Sequence, residues 1–260
     1  MKVFIAIFLG CLVLSGTAYA KDTKTGYLTG QLQAKTGEPL AGGLIFFFNE
    51  LAGTPPAPDK YWRVPDEMGF LDGKGNFKVR LSEGKYFIGA IKRSSGRDPG
   101  PPLEGDLFLI DRDAAGTPKL HPVNKDVTTD IGTIAGAAPF RNEMSRAQKG
   151  TTAIEGTVTD TEGKPIAGAL VFAFATPGTV DKPLFVSERS GKEGKYLLRV
   201  ADNGSYYLKV RDVYGGGAPS VGAVIGGYGD DSPIPVKTIK GTIVGGIDIK
   251  TRKFAGKGQK

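Results

Sequence analysis

Residues 30–48 read GQLQAKTGEPLAGGLIFFF, and residues 156–174 read GTVTDTEGKPIAGALVFAF. The strings align without a gap at an offset of 126, with identity at Gly30/Gly156, Gly37/Gly163, Pro39/Pro165, Ala41/Ala167, Gly42/Gly168, Leu44/Leu170, Phe46/Phe172 and Phe48/Phe174. A second block repeats with one inserted residue: GNFKVRLSEGKYF at 75–87 matches GKYLLRVADNGSYY at 194–207, pairing Gly75/Gly194, Arg80/Arg199, Gly84/Gly204 and Tyr86/Tyr206. A period of about 120 residues is the length of a domain rather than of a solenoid repeat, so the pattern reads as a tandem duplication.

The repeated blocks carry the period of strands. Leu44, Phe46 and Phe48 alternate, as do Leu170, Phe172 and Phe174, and the alternation predicts one buried face. Phe77, Val79 and Leu81 match Tyr196, Leu198 and Val200, while Tyr86, Ile88 and Ala90 match Tyr206, Leu208 and Val210. The opening strands pair Leu28, Gly30 and Leu32 with Ile154, Gly156 and Val158, and a glycine inside a strand marks a bulge or a close backbone approach. Gly37-Glu38-Pro39, Gly163-Lys164-Pro165, Ser82-Glu83-Gly84 and Asp202-Asn203-Gly204 supply turns. Short strands at close spacing with no amphipathic helical run predict an all-β protein of two tandem Greek-key β-sandwiches. The expected organisation is a signal peptide at 1–20, a first sandwich at 21–136, a linker at 137–150, a second sandwich at 151–252 and a basic tail at 253–260.

The string G-x-V-x-D-x-x-G-K-P-I-A-G-A-x-V at 156–171, with G-K-Y-x-L-R-V and G-S-Y-Y-L-K-V at 194–210, resembles the carboxypeptidase regulatory-like domain of the transthyretin-like (prealbumin-like) type. The first copy departs from it at Lys35 and Glu38 but keeps the glycines and phenylalanines. The resemblance covers most of the chain. It implies a sandwich that supports folding or mediates contacts in larger surface proteins, and it implies no activity, because fold is not function. The collagen-adhesin B-type module, similar in shape, can carry a lysine–asparagine isopeptide bond from a first-strand lysine. Neither 26–33 nor 153–159 contains a lysine, so no such bond is expected.

Lys2 followed by an apolar run over residues 3–14 and by Ala18-Tyr19-Ala20 predicts a cleaved export signal. Its apolar stretch is too short to span a bilayer comfortably, so no membrane span is expected after cleavage. Cys11 is the only cysteine; Phe8 and the apolar sequence beyond Cys11 argue against a lipid anchor there. A chain cut after Ala20 has no thiol, so two hydrophobic cores must stabilise it. The formal charge is +7, with Lys and Arg scattered and no basic helix or block. That pattern argues against nucleic acid and suits a solvated surface, or weak attraction to acidic polymers and anionic envelope surfaces.

No catalytic constellation is expected. His121, the sole histidine, sits in Lys119-Leu120-His121-Pro122 and reads as a surface-loop residue; one histidine builds neither a zinc site nor a triad. Asp111 and Asp113, with Glu104 and Asp106 upstream, are possible calcium ligands, although Arg112 between them and the missing loop spacing favour a solvated turn; Asp230-Asp231 reads likewise. No cofactor is predicted. Gly215-Gly216-Gly217 and Gly226-Gly227-Tyr228-Gly229 lack a phosphate-loop Lys-Ser/Thr and read as mobile loops.

Tyr61 and Trp62 lie in a Pro-rich insertion at 54–66, where aromatics could meet a sugar or a partner, and Tyr228 joins them as a possible contact; the plainer expectation is that Trp62 covers its own sandwich edge. The unshared segments 54–66, 94–122 and 215–235 are where function is sought, and removal of 94–122 or 215–235 is expected to leave a folded protein. The resulting reading is a non-catalytic envelope protein that binds an envelope or extracellular protein or polysaccharide through loops and sheet edges. The alternatives are a carbohydrate-binding module and an accessory subunit of a larger secreted or envelope enzyme complex. The expected location is periplasmic, outer-membrane-associated or extracellular.

Overall fold

A computed structural model of the chain describes residues 24–256, apart from 95, 97, 143–148, 179–181, 216 and 231. The predicted export signal, residues 143–148 of the predicted linker and the end of the tail therefore lie outside the described residues. The chain is all-β and forms two successive sandwiches.

The first sandwich opens with β1 (Thr25–Ala34), antiparallel to β5 (Asn76–Ser82) and parallel to β9 (Thr128–Pro139). The facing layer has β2 (Leu44–Asn49) between β4 (Glu67–Phe70) and β6 (Gly84–Lys92). The far edge of β6 carries both β7 (Leu107–Ile110) and β8 (Leu120–Val123). The last residues of β9 leave β1 and pair with β7, which joins the two layers.

The second sandwich repeats this plan. Its β10 (Ala153–Thr159) is antiparallel to β13 (Lys195–Arg199) and parallel to β17 (Ile243–Val244) and to the start of β18 (Ile249–Lys253). The facing layer is β12 (Phe185–Val186), β11 (Leu170–Phe174) and β14 (Gly204–Arg211), with β15 (Val224–Gly227) and β16 (Val236–Thr238) along β14. The end of β18 pairs with β15 and joins these layers in turn.

Shared residues make shared bonds. The Leu32 amide donates to the Gly75 carbonyl at 2.9 Å, as the Val158 amide does to Gly194 at 2.9 Å. Bridges Gln33–Pro39 and Thr159–Pro165 close the same turn in each half. Gly75 and Gly194 have φ of 75° and 72°, left-handed values that a side chain would strain, and a Cβ there would also strike the Leu32 or Val158 carbonyl oxygen.

Several expectations need correction. The buried face assigned to Leu44, Phe46 and Phe48 is not the core of their sandwich. Ile45 and Phe47 point into that core with Leu28, Leu32, Phe77 and Ile88, while Leu44, Phe46 and Phe48 form a separate cluster with Phe87 and Ile91. In the second half Val171 and Ala173 face the core, whereas Leu170, Phe172 and Phe174 pack outward with Trp62, Phe140 and Val186. These strands are buried on both faces, which is why LIFFF and LVFAF are unbroken apolar runs.

Segments 94–122 and 215–235 are not removable loops. β7 stands between β6 and β9, and β15 between β14 and β18, so deleting either segment cuts the path that connects the layers. Gly226 and Gly227 belong to β15, and Lys253, the first residue assigned to the tail, ends β18. The predicted linker is also shorter, because β9 runs to Pro139 and Phe140 is buried.

Candidate functional site

The insertion at 54–66 has no counterpart in the second half. By register, β4 beside β2 is the equivalent of β12 beside β11: Phe46 faces Met68 as Phe172 faces Val186. The additional strand is β3 (Trp62–Arg63), and it pairs antiparallel with β12, across the boundary between the two halves. The first sandwich thus donates an edge strand to the second.

Arg63 holds the insertion in shape. Its guanidinium donates to the carbonyls of Asn49 at 2.6 Å and Thr54 at 2.7 Å, and to the Asp66 carboxylate at 3.0 Å. Asp66 also accepts the Asn49 amide at 2.7 Å, and the Tyr61 hydroxyl donates to the Pro55 carbonyl at 2.9 Å. Burial lowers the Arg63 pKa, with Asp66 opposing that shift.

Tyr61 and Trp62, predicted to be available to a ligand, are 7% and 6% exposed. Tyr61 meets Phe185 edge-on at 5.1 Å and joins the core of the second sandwich. Trp62 lies between the two sandwiches, packed both on its own and on Leu170, Phe172 and Val186 of the other. Its ring makes edge contacts with Phe108 at 5.8 Å and Phe140 at 5.7 Å, and these two rings meet each other at 5.9 Å. The indole N–H donates to Glu188 Oε1 at 2.5 Å, and the same oxygen accepts from Arg199 Nη2 at 2.9 Å. Arg199 is 1% exposed, lies 5.6 Å from the indole centroid and donates to the Pro58 carbonyl at 3.1 Å. The outer faces of the sandwiches meet over this seam in a narrow apolar gap lined by Phe46, Phe48, Trp62, Phe108, Val186 and Tyr214. The Pro-rich composition of 54–66 signalled an irregular segment; nothing in it signalled which sandwich the segment would join.

The proposed calcium ligands are held apart by separate partners. Asp106 binds Arg93 at 2.6 Å and accepts the amides of Ser94 at 2.9 Å and Leu103 at 2.8 Å. Glu104 accepts the Asn142 amide, and Asp113 accepts the amides of Ala115 and Thr117 in a turn. Asp111 lies 2.6 Å from His121 Nε2. His121 is not in a surface loop: it stands in β8 opposite Tyr86 and is buried. Its neighbours Leu120 and Val123 gave too short a run to reveal a strand. Among the described residues no three His, Cys, Asp or Glu side chains are grouped to hold a metal. Asp230 adopts φ of 50°, and Asp231 lies outside the described residues.

Burial alone would raise the Asp106 carboxyl, but the amides of Leu103 and Ser94 and the Arg93 guanidinium overcome it and hold the pKa below the ordinary value. A lowered folded pKa contributes stability above the unfolded value near ~4 and loses it as pH falls through the folded value. The amides of Ser94 and Leu103 are therefore expected to stay protected from hydrogen exchange between pH 7 and 5 and to open only in the acid range. In Asp106→Asn they should exchange faster between pH 7 and 5, with the difference disappearing in the acid range; equal protection in both proteins at neutral pH would show that this carboxylate does not order the loop.

No protein-family model matches the chain, and no curated protein does. Among solved structures, the Bacillus anthracis TIE protein aligns at 14% identity over 88% of this chain, with a TM-score of 0.27, and the chain spans 34% of that protein's length. BcpA, the major pilin subunit of Bacillus cereus, aligns at 12% identity over 89% of this chain and 100% of its own, with a TM-score of 0.27. The shaft pilin SpaA from Lactobacillus rhamnosus GG aligns at 14% identity over 89% of this chain and 98% of its own, with a TM-score of 0.25. Overlap this slight bears on neither function nor partner. Among the described residues no helix is long and apolar enough to cross a membrane.

Proposed function

We propose that this chain is a non-catalytic structural and binding protein of the cell envelope, exported by residues 1–20. In this reading it consists of two copies of a carboxypeptidase regulatory-like sandwich, locked into one body by β3. The recurring turn bonds and the matching registers of β4 and β12 support the duplication.

The observation that carries the functional reading is the use of the insertion. Its aromatic side chains, Tyr61 and Trp62, are consumed in joining the sandwiches, and Arg63 in shaping the insertion that carries them. A fused pair of sandwiches is suited to presenting outer surfaces at a fixed spacing. One such surface is the free edge of β4, where Met68 and Phe70 are 42% and 66% exposed; an open strand edge can accept a partner's strand.

The test is an affinity pull-down from envelope extract with the full exported chain, alongside Met68→Lys/Phe70→Lys. A specific macromolecule retained by the native chain and lost by the variant is the expected result. Turnover in a substrate screen would overturn the non-catalytic reading. A carbohydrate-binding function at Trp62 predicts a glycan-array signal that disappears in Trp62→Ala; with both edges of the indole covered, sugar would first have to displace β3.

A further inference from the structure

The outer layer of the second sandwich extends beyond the seam, and there it changes character. Along β14, Tyr206, Leu208 and Val210 face the core, so Tyr207, Lys209 and Arg211 face outward. Cross-strand register sets Arg211 opposite Ile225 and Ile225 opposite Arg252, placing two guanidinium-bearing residues on either side of one aliphatic residue. Neighbouring strands are about 4.8 Å apart, so these two positions are separated by roughly 10 Å across the sheet. One row along, Lys209 stands opposite Gly227, where the missing side chain leaves the floor open; a Cβ there would come within 3.2 Å of the Leu208 carbonyl oxygen.

The result is an open groove of about 330 Å³ lined by Tyr207, Tyr228 and proline-bearing turns, with Asp230 as the opposing charge. Lys209 is steadied by the Gly178 carbonyl at 2.9 Å and by the Phe174 ring at 4.8 Å, and Arg211 by the Gly217 carbonyl at 3.4 Å. Arg252 is exposed.

We propose that this groove binds an acidic polysaccharide. The inference rests on the reading above that the chain binds rather than catalyses, and it names the class of partner. Guanidinium groups grip carboxylates bidentately, and their spacing across two strand steps suits carboxylates on alternate units of a linear uronate polymer. Tyr207 and Tyr228 line the groove beside the open floor at Gly227, and such rings supply a sugar with apolar contact and a hydroxyl at the tip. Attraction is reinforced by the net positive charge of the chain.

The experiment measures binding of the full exported chain to alginate, with dextran as the neutral comparison and polyphosphate and duplex DNA as polyanions without uronate rings. Alginate is expected to bind in a salt-dependent manner and dextran not to bind. Arg211→Glu/Arg252→Glu should weaken alginate binding by about tenfold or more, through charge reversal at a cleft, while its melting temperature stays at the native value. Unchanged alginate affinity in that variant, or polyphosphate or DNA binding as tight as alginate, overturns the proposal. So does failure of the native chain to bind alginate, which would leave the binding-protein reading intact. Shortening of the alginate chains during incubation would instead overturn the non-catalytic reading itself.

Discussion

Replacing Trp62 by alanine is expected to lower the stability of the protein by about 3–5 kcal/mol, the range for removing a large buried aromatic side chain. The indole is 6% exposed and sits among Phe108, Phe140 and Val186, so its removal leaves a cavity that two sheet faces must collapse to fill. The loss is also electrostatic. Glu188 would lose the indole donor, and the buried Arg199 would lose the ring beneath its guanidinium.

Each sandwich retains its own core, one around Leu28, Leu32 and Ile88, the other around Ile154, Val158 and Leu208. The variant should therefore unfold in two thermal transitions, and the native chain in one. Trp62→Phe, which keeps most of the packing but not the bond to Glu188, is expected to lose only about 1.5–3 kcal/mol, the scale of a hydrogen bond to a charged group. A Trp62→Ala protein that melts once, at the native midpoint, would mean that β3 is not what couples the two halves.

The same seam marks the limit of what the sequence can say. Strands β1, β5, β10, β13 and β14 were legible because each has a more polar face and an apolar one, and the alternation could be counted. In β2 and β11 both faces are apolar, so counting every second residue selects a face without saying which one meets the core. The phenylalanines shared by the two halves turn out to be the outward set: Phe172 and Phe174 pack with Trp62 and Phe140 of the first sandwich, and Phe46 and Phe48 line the gap at the seam. β7 and β15 were read as loop because four-residue strands flanked by glycine and proline carry too few positions to establish a period. Trp62 was noticed as unusual, but its partners Glu188 and Arg199 lie 126 and 137 residues away, a pairing that no local pattern encodes. His121 was missed for a related reason: its burial depends on Asp111 folding back across β8. The surface groove was half legible, since Tyr228 stood out while Lys209, Arg211 and Arg252 became neighbours only through the strand order β14, β15, β18.

A glycine that the alignment did flag carries the second large effect: Gly156→Val is expected to prevent the second sandwich from forming. An ideal Cβ at this position would lie 2.1 Å from the Ile247 carbonyl oxygen, well inside any tolerated contact. The obstruction is backbone, and it is pinned on both sides. The Ile247 amide donates to the Glu155 carbonyl at 3.1 Å, and the buried Tyr196 hydroxyl donates to the Ile247 carbonyl at 2.7 Å. Moving that segment away would break both bonds and pull β18 from Val158. The contact thus offers no route of relief, and a loss beyond about 4 kcal/mol is expected, in the range reserved for a few severe mechanisms. Gly163→Ala provides the comparison. Gly163 has φ of 85° but nothing within 4 Å of its Cβ position, so the substitution carries only the strain of a left-handed residue, about 1–2 kcal/mol. Circular dichroism, together with urea unfolding of both variants, separates the cases. Near-native unfolding of Gly156→Val would show that the approach of residues 247 and 248 to β10 is not needed to close the second sandwich.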